Sequence, residues 1–125
     1  MIYLVDDDAE ELEILEETLR QYGYEGQIST ARDGEEVMRV LRSDPVHKPD
    51  LLLLDLNMPL KDGFEVLAEI KSDAALRDIV VVVLTASSNK TDEERCRSLG
   101  CDYFFTKPSR MEEYQTLISF IRELV

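Results

Sequence analysis

The 125-residue sequence predicts an α/β fold: a doubly wound, five-stranded parallel sheet of (βα)5 type. Three observations predict it. Short apolar runs alternate five times with helical stripes, which implies right-handed crossovers and helices on both faces. The clearest run, Ile79-Val80-Val81-Val82-Val83-Leu84, is β-branched and continuously apolar, as a strand covered on both faces must be. Polar residues gather at the carboxyl ends of the runs, where sites lie in such sheets.

Residues 2–5 predict the first strand. Leu12, Leu15, Leu19 and Tyr22 follow at helical spacing, and Gly23 stops that helix. Residues 26–31 predict a weaker second strand. Val37, Val40 and Leu41 form a second stripe, closed by Pro45. Residues 50–55 predict a buried third strand, and Phe64, Leu67, Ala68 and Lys71 a third helix. After the fourth strand, residues 91–99 predict a helix with few apolar positions, mainly Cys96 and Leu99. Tyr103-Phe104-Phe105 reads as the fifth strand. Tyr114, Leu117, Ile118, Ile121 and Leu124 complete the pattern as an amphipathic helix. No linker or repeat divides the chain, so residues 1–125 read as one domain.

Composition narrows the function. The net charge of −13, from 27 acids against 14 bases, argues against direct nucleic-acid binding. No apolar stretch approaches the ~20 residues of a membrane helix, and the first apolar run stops at Asp6, which no signal peptide would do. Cys96 and Cys101 are too few for a disulfide framework and read as reduced thiols, so the expected location is cytoplasmic. His47, between Pro45 and Pro49, reads as a loop residue without a ligand role. Asp62-Gly63 reads as a turn before the third helix.

The chemistry lies at the strand ends. Asp6-Asp7-Asp8 ends the first run, Asp55 the third, Thr85 the fourth, and Lys107-Pro108 the fifth. Neighbouring carboxylates repel, and a hard divalent cation relieves the repulsion. Mg2+ prefers oxygen ligands and retained waters. Asp7 and Asp55 read as direct ligands, Asp6 as acting through water, and the backbone carbonyl of Asn57 as a further ligand. Taken alone, Asp6-Asp7-Asp8 reads equally well as a helix N-cap with acidic flanks, Asp8 being the cap. Asp55 can also attack phosphorus to give an acyl phosphate, with Lys107 neutralising charge on the transferred group. Thr85 could donate to a phosphoryl oxygen. The plain alternatives are a β-forming threonine and an ordinary strand-end lysine.

With these motifs in order, the chain resembles the response-regulator receiver domains of two-component signalling, of the chemotaxis-type single-domain kind. The matching segments are Leu4-Val5-Asp6-Asp7-Asp8, Leu54-Asp55-Leu56-Asn57-Met58-Pro59, Asp62-Gly63, Leu84-Thr85-Ala86 and Lys107-Pro108. The resemblance implies a flavodoxin-like strand order 2-1-3-4-5. It implies Asp55 as phosphoacceptor, Asp6 and Asp7 as the acidic pair for Mg2+, Thr85 as switch hydroxyl and Lys107 as phosphoryl-binding lysine. It also implies Phe104 as the switch aromatic. Many relatives have tyrosine there, and Phe104 lacks the hydroxyl; its other reading is an ordinary strand aromatic. Asn57 and Ser87 would border the path of a water attacking the phosphoryl group. The implied partners are a sensor histidine kinase and a downstream target, a phosphotransfer protein or a second copy in a homodimer. Residues 54–63 are similar to stand-alone regulators paired with phytochrome-type kinases.

Two other classes fit less well. An aspartyl phosphohydrolase needs a second carboxylate just after the nucleophile, where Asn57 stands, and a cap for which 125 residues leave no room. A nucleotide or flavin binder needs a glycine-rich phosphate loop after the first strand, where Asp6-Asp7-Asp8 would repel phosphate.

Overall fold

The computed structural model describes residues 1–125. Five strands, β1 (Ile2–Val5), β2 (Ile28–Ala31), β3 (Leu51–Leu54), β4 (Val80–Thr85) and β5 (Tyr103–Thr106), form one parallel sheet in the order β2-β1-β3-β4-β5. Between and after them run α1 (Ala9–Gln21), α2 (Gly34–Ser43), α3 (Gly63–Ser72), α4 (Lys90–Leu99) and α5 (Met111–Leu124). A short 3-10 turn at Pro45–His47 precedes β3. The predicted fold class and strand order are those observed. No helix is long and apolar enough to cross a membrane.

The sheet separates two cores. Alternate strand residues such as Val5, Leu52, Leu54, Val81 and Val83 face α2, α3 and α4. Ile2, Leu4, Leu51, Leu53, Val82 and Leu84 face α1 and α5. Continuously apolar strands follow from this double burial. Register brings the carboxyl ends together: Val5 lies beside Leu54 and Ala31, Leu54 beside Val83, and Thr85 beside Thr106.

The edges of several elements differ from expectation. Strand β2 begins at 28; Gly26 lies in a bend, and the Gln27 carbonyl accepts from the Ile2 N–H at 3.0 Å just before the strand. Asp50 and Asp55 flank β3 rather than belong to it, β4 is shifted to 80–85, and α4 begins at Lys90. Tyr22 is 38% exposed, although it continues the α1 stripe. Gly23, at φ 84°, reverses the chain there and Tyr24 takes the buried place. Val40 is 42% exposed; Val37, Met38 and Leu41 carry the buried face of α2. His47 is exposed and pairs with Asp44.

Candidate functional site

The β1–α1 turn sets the first carboxylates. Asp8 caps α1 by accepting from the Glu10 N–H at 2.9 Å, which is the cap predicted for it. Asp6 Oδ1 accepts from the Asp8 N–H at 2.9 Å, so the turn fixes Asp6 at the strand end. Asp6 is only 3% exposed and Asp55 4%, whereas Asp7 is exposed. Oxygens of Asp6, Asp7 and Asp55 all lie within 4.8 Å of one another.

Asp55 enters from the end of β3, its N–H donating to the Val5 carbonyl at 2.9 Å. The chain behind it is packed against Gly63, which donates to the Leu56 carbonyl at 2.9 Å. A Cβ at Gly63 would overlap the Asp55 carbonyl and Leu56 Cα. Close approach is thus the reason for glycine, beyond the turn expected from sequence. Asp62 caps α3 through the Glu65 N–H.

Lys107 reaches in from the end of β5. Its Nζ lies 2.8 Å from Asp6 Oδ2 and 3.5 Å from Asp55 Oδ2. The Lys107 N–H donates to the Thr85 carbonyl at 2.7 Å, extending the β4–β5 ladder to the lysine. Thr85 is fully buried, and its Oγ1 accepts from the Ser87 N–H at 3.3 Å. Phe104 is half-buried against the core beneath α3 and α4. Asn57 lies on the exposed loop after Asp55. Asp6, Asp7, Asp55 and the Lys107 ammonium therefore converge, Thr85 is tied to them through the Lys107 main chain, and Phe104 packs into the core.

Burial pushes the Asp55 carboxyl up to about 6, and the neighbouring Asp6 carboxylate adds to the rise. Lys107 and the N–H groups of Asn57 and Leu56 act in the opposite direction. Burial alone would lower the Lys107 ammonium, but its bond to Asp6 and the charge of Asp55 leave it raised. One Asp55 oxygen, Oδ1, is buried without a hydrogen-bond partner. Three converging carboxylates with an unpartnered buried oxygen fit a hard, oxygen-loving cation.

Sequence reasoning missed a buried acid beside this cluster. Glu11 is buried on α1, and its Oε2 accepts from the Tyr114 hydroxyl of α5 at 2.7 Å. Burial raises both groups. The signal was available: Glu11 falls on the helical face shared by Leu15, Thr18 and Leu19. Arg32, whose guanidinium bonds the Asp7 carbonyl, left no such signal.

The family profile of the response regulator receiver domain matches residues 2–119. The polar-differentiation response regulator DivK of Brucella anthropi is 34% identical over 121 residues, covering 96% of this chain and 94% of DivK. The response regulator Rcp1 of Synechocystis sp. is 34% identical over 125 residues, covering 97% of this chain and 85% of Rcp1. Among solved structures, the phosphorylated cyanobacterial phytochrome response regulator RcpA superposes with a TM-score of 0.90. It is 39% identical, and the match covers 98% of this chain and 90% of RcpA. The Mn(2+)-bound form of Rcp1 gives 0.89 at 34% identity, covering 98% and 91%. Family profile, relatives and fold agree: the chain belongs to the response regulator receiver domains of two-component signalling.

Proposed function

We propose that residues 1–125 form a cytoplasmic receiver domain that accepts a phosphoryl group on Asp55 from a sensor histidine kinase in a Mg2+-dependent reaction. The observation that carries this reading is the unpartnered buried Oδ1 of Asp55, set among Asp6, Asp7 and Lys107. RcpA is described in a phosphorylated form and Rcp1 in a Mn(2+)-bound form, and both support it. Asp6, Asp7, Asp55 and the carbonyl of Asn57 would hold Mg2+, which when bound offsets the carboxylate repulsion and the charge of the phosphoryl group.

In the transfer, a carboxylate oxygen of Asp55 attacks the phosphorus of a phosphohistidine. The P–O bond forms as the P–N bond breaks, and the imidazole nitrogen keeps the electron pair. Lys107 moves its charge from Asp6 toward the new phosphoryl oxygens. Thr85 gives up the Ser87 N–H and donates its hydroxyl to the phosphoryl group. Phe104 follows into the vacated space, and the α4–β5–α5 face changes its preference for a downstream protein, a phosphotransfer protein or a second copy. The two states exchange population rather than being created by the modification. The domain assists only its own phosphorylation and dephosphorylation. The charge of −13 disfavours nucleic acid as a direct partner.

The test is intact mass after incubation with acetyl phosphate, in Mg2+ and in EDTA. Wild type gains one phosphoryl group in Mg2+ only, and Asp55→Asn gains none. Equal labelling of Asp55→Asn would sink the assignment.

A further inference from the structure

Asp7 stands apart from the other two carboxylates of the cluster. Asp6 is fixed by Lys107 and the Asp8 N–H, and Asp55 by burial and Lys107. Asp7 is exposed, and what holds it acts on its main chain. The Arg32 guanidinium donates to the Asp7 carbonyl from Nη2 at 2.9 Å and from Nε at 3.3 Å.

The sheet brings these residues together. Val5 pairs with Ala31, and the Asp6 N–H donates to the Ala31 carbonyl at 3.1 Å. The two segments thus run side by side past the ends of β1 and β2, and Arg32 emerges beside Asp6-Asp7. Its own segment is anchored. The Arg32 N–H donates to Glu36 Oε2 at 3.3 Å, and Asp33 caps α2 through the Glu36 N–H at 2.7 Å. A planar two-donor fork on a carbonyl fixes the orientation of a peptide as well as its place.

We propose that Arg32 is a positioning residue for the divalent-cation site: its fork holds the Asp7 peptide so that the carboxylate faces Asp6 and Asp55. This rests on the reading of the three acids as a metal site. Groups that orient ligands affect metal affinity without touching the ion. As a charge, Arg32 should do the reverse, because a guanidinium beside a cation site repels the cation. Placement and charge therefore predict opposite signs for its removal. Salt also separates them, since it screens the charge effect and leaves the hydrogen bonds in place.

The experiment is calorimetric titration of the whole chain with MgCl2 and MnCl2, for wild type, Arg32→Ala and Arg32→Lys, at low salt and at about 0.5 M KCl. Circular dichroism in EDTA checks that each variant is folded. Arg32→Ala should bind roughly three- to tenfold more weakly at both salt concentrations. Arg32→Lys keeps the charge and loses the fork, so it should also bind more weakly than wild type. Unchanged or tighter binding by folded Arg32→Ala, while wild type binds the ion, overturns the inference and leaves the metal site standing. If Arg32→Ala does not fold, wild-type affinity in Arg32→Lys overturns it. Absence of binding by wild type overturns the metal-site reading itself, and the inference with it.

Discussion

At Asp55 the fold holds a carboxylate where water would normally solvate it, and the consequence is a pH dependence of definite sign. Its ordinary value is 3.8 and burial with Asp6 pushes it to about 6. The group is harder to ionise folded than unfolded, so its penalty is absent below about pH 4 and complete above about pH 6. In EDTA, Asp55→Asn should be more stable than wild type by about 2–3 kcal/mol at pH 7.5, and the gap should close toward pH 4. Urea unfolding at the two pH values measures it, and a gap that widens toward acid contradicts the account. Asp6, Asp55 and Thr85 were legible in the sequence because each follows directly on an apolar run, and Asp7 and Lys107 because each lies one residue further on. Arg32 was not legible, since a long side chain bonding a distant carbonyl depends on strand register. Gly63 was legible only as a turn, because a close backbone approach leaves no local pattern.

Among the five α-helices, α4 is the one held least by the core. Cys96 is its only buried residue, as the sparse apolar stripe predicted. Its first turn is fastened to the Thr85 loop instead. Ser87 Oγ donates to Asp92 Oδ2 at 2.7 Å and accepts from the Asn89 N–H at 3.2 Å, while Asn89 caps the helix through the Thr91 N–H. Ser87 also donates its N–H to Thr85 Oγ1, so movement of that hydroxyl reaches α4 directly. Ser87→Ala should speed amide exchange in the first turns of α4 by roughly tenfold, the equivalent of about 1.4 kcal/mol, without altering β1 or β3. Mass-spectrometric hydrogen exchange resolves those segments, and equal exchange in α4 would remove the clasp from the mechanism. Helix stripes were legible except at Val40, inside α2, and at Tyr22, just past the end of α1. Tyr22 keeps the period of α1 but lies where Gly23 turns the chain, so periodicity alone placed it inside.

Over the whole molecule, 27 acids against 14 bases leave the chain working against its own charge. A divalent cation at the acidic cluster should therefore register as global stability. At a hundredfold excess over its dissociation constant, Mg2+ should add about 2.7 kcal/mol and raise the melting temperature by ~10 °C. Asp7→Ala, which removes the exposed member of the cluster, should abolish most of that rise while unfolding normally in EDTA; a calorimetric scan with and without MgCl2 decides it. The fold class was legible in full because double burial writes apolar runs that no single-faced sheet would tolerate. The same double burial has a consequence for how such a protein diverges. The strands are a wall between two packed compartments, one under α1 and α5, the other under α2, α3 and α4. A substitution that repacks one compartment leaves the other's side chains in place, so the face over α2, α3 and α4 and the face over α1 and α5 can change separately. Divergence one face at a time is built into the layering itself.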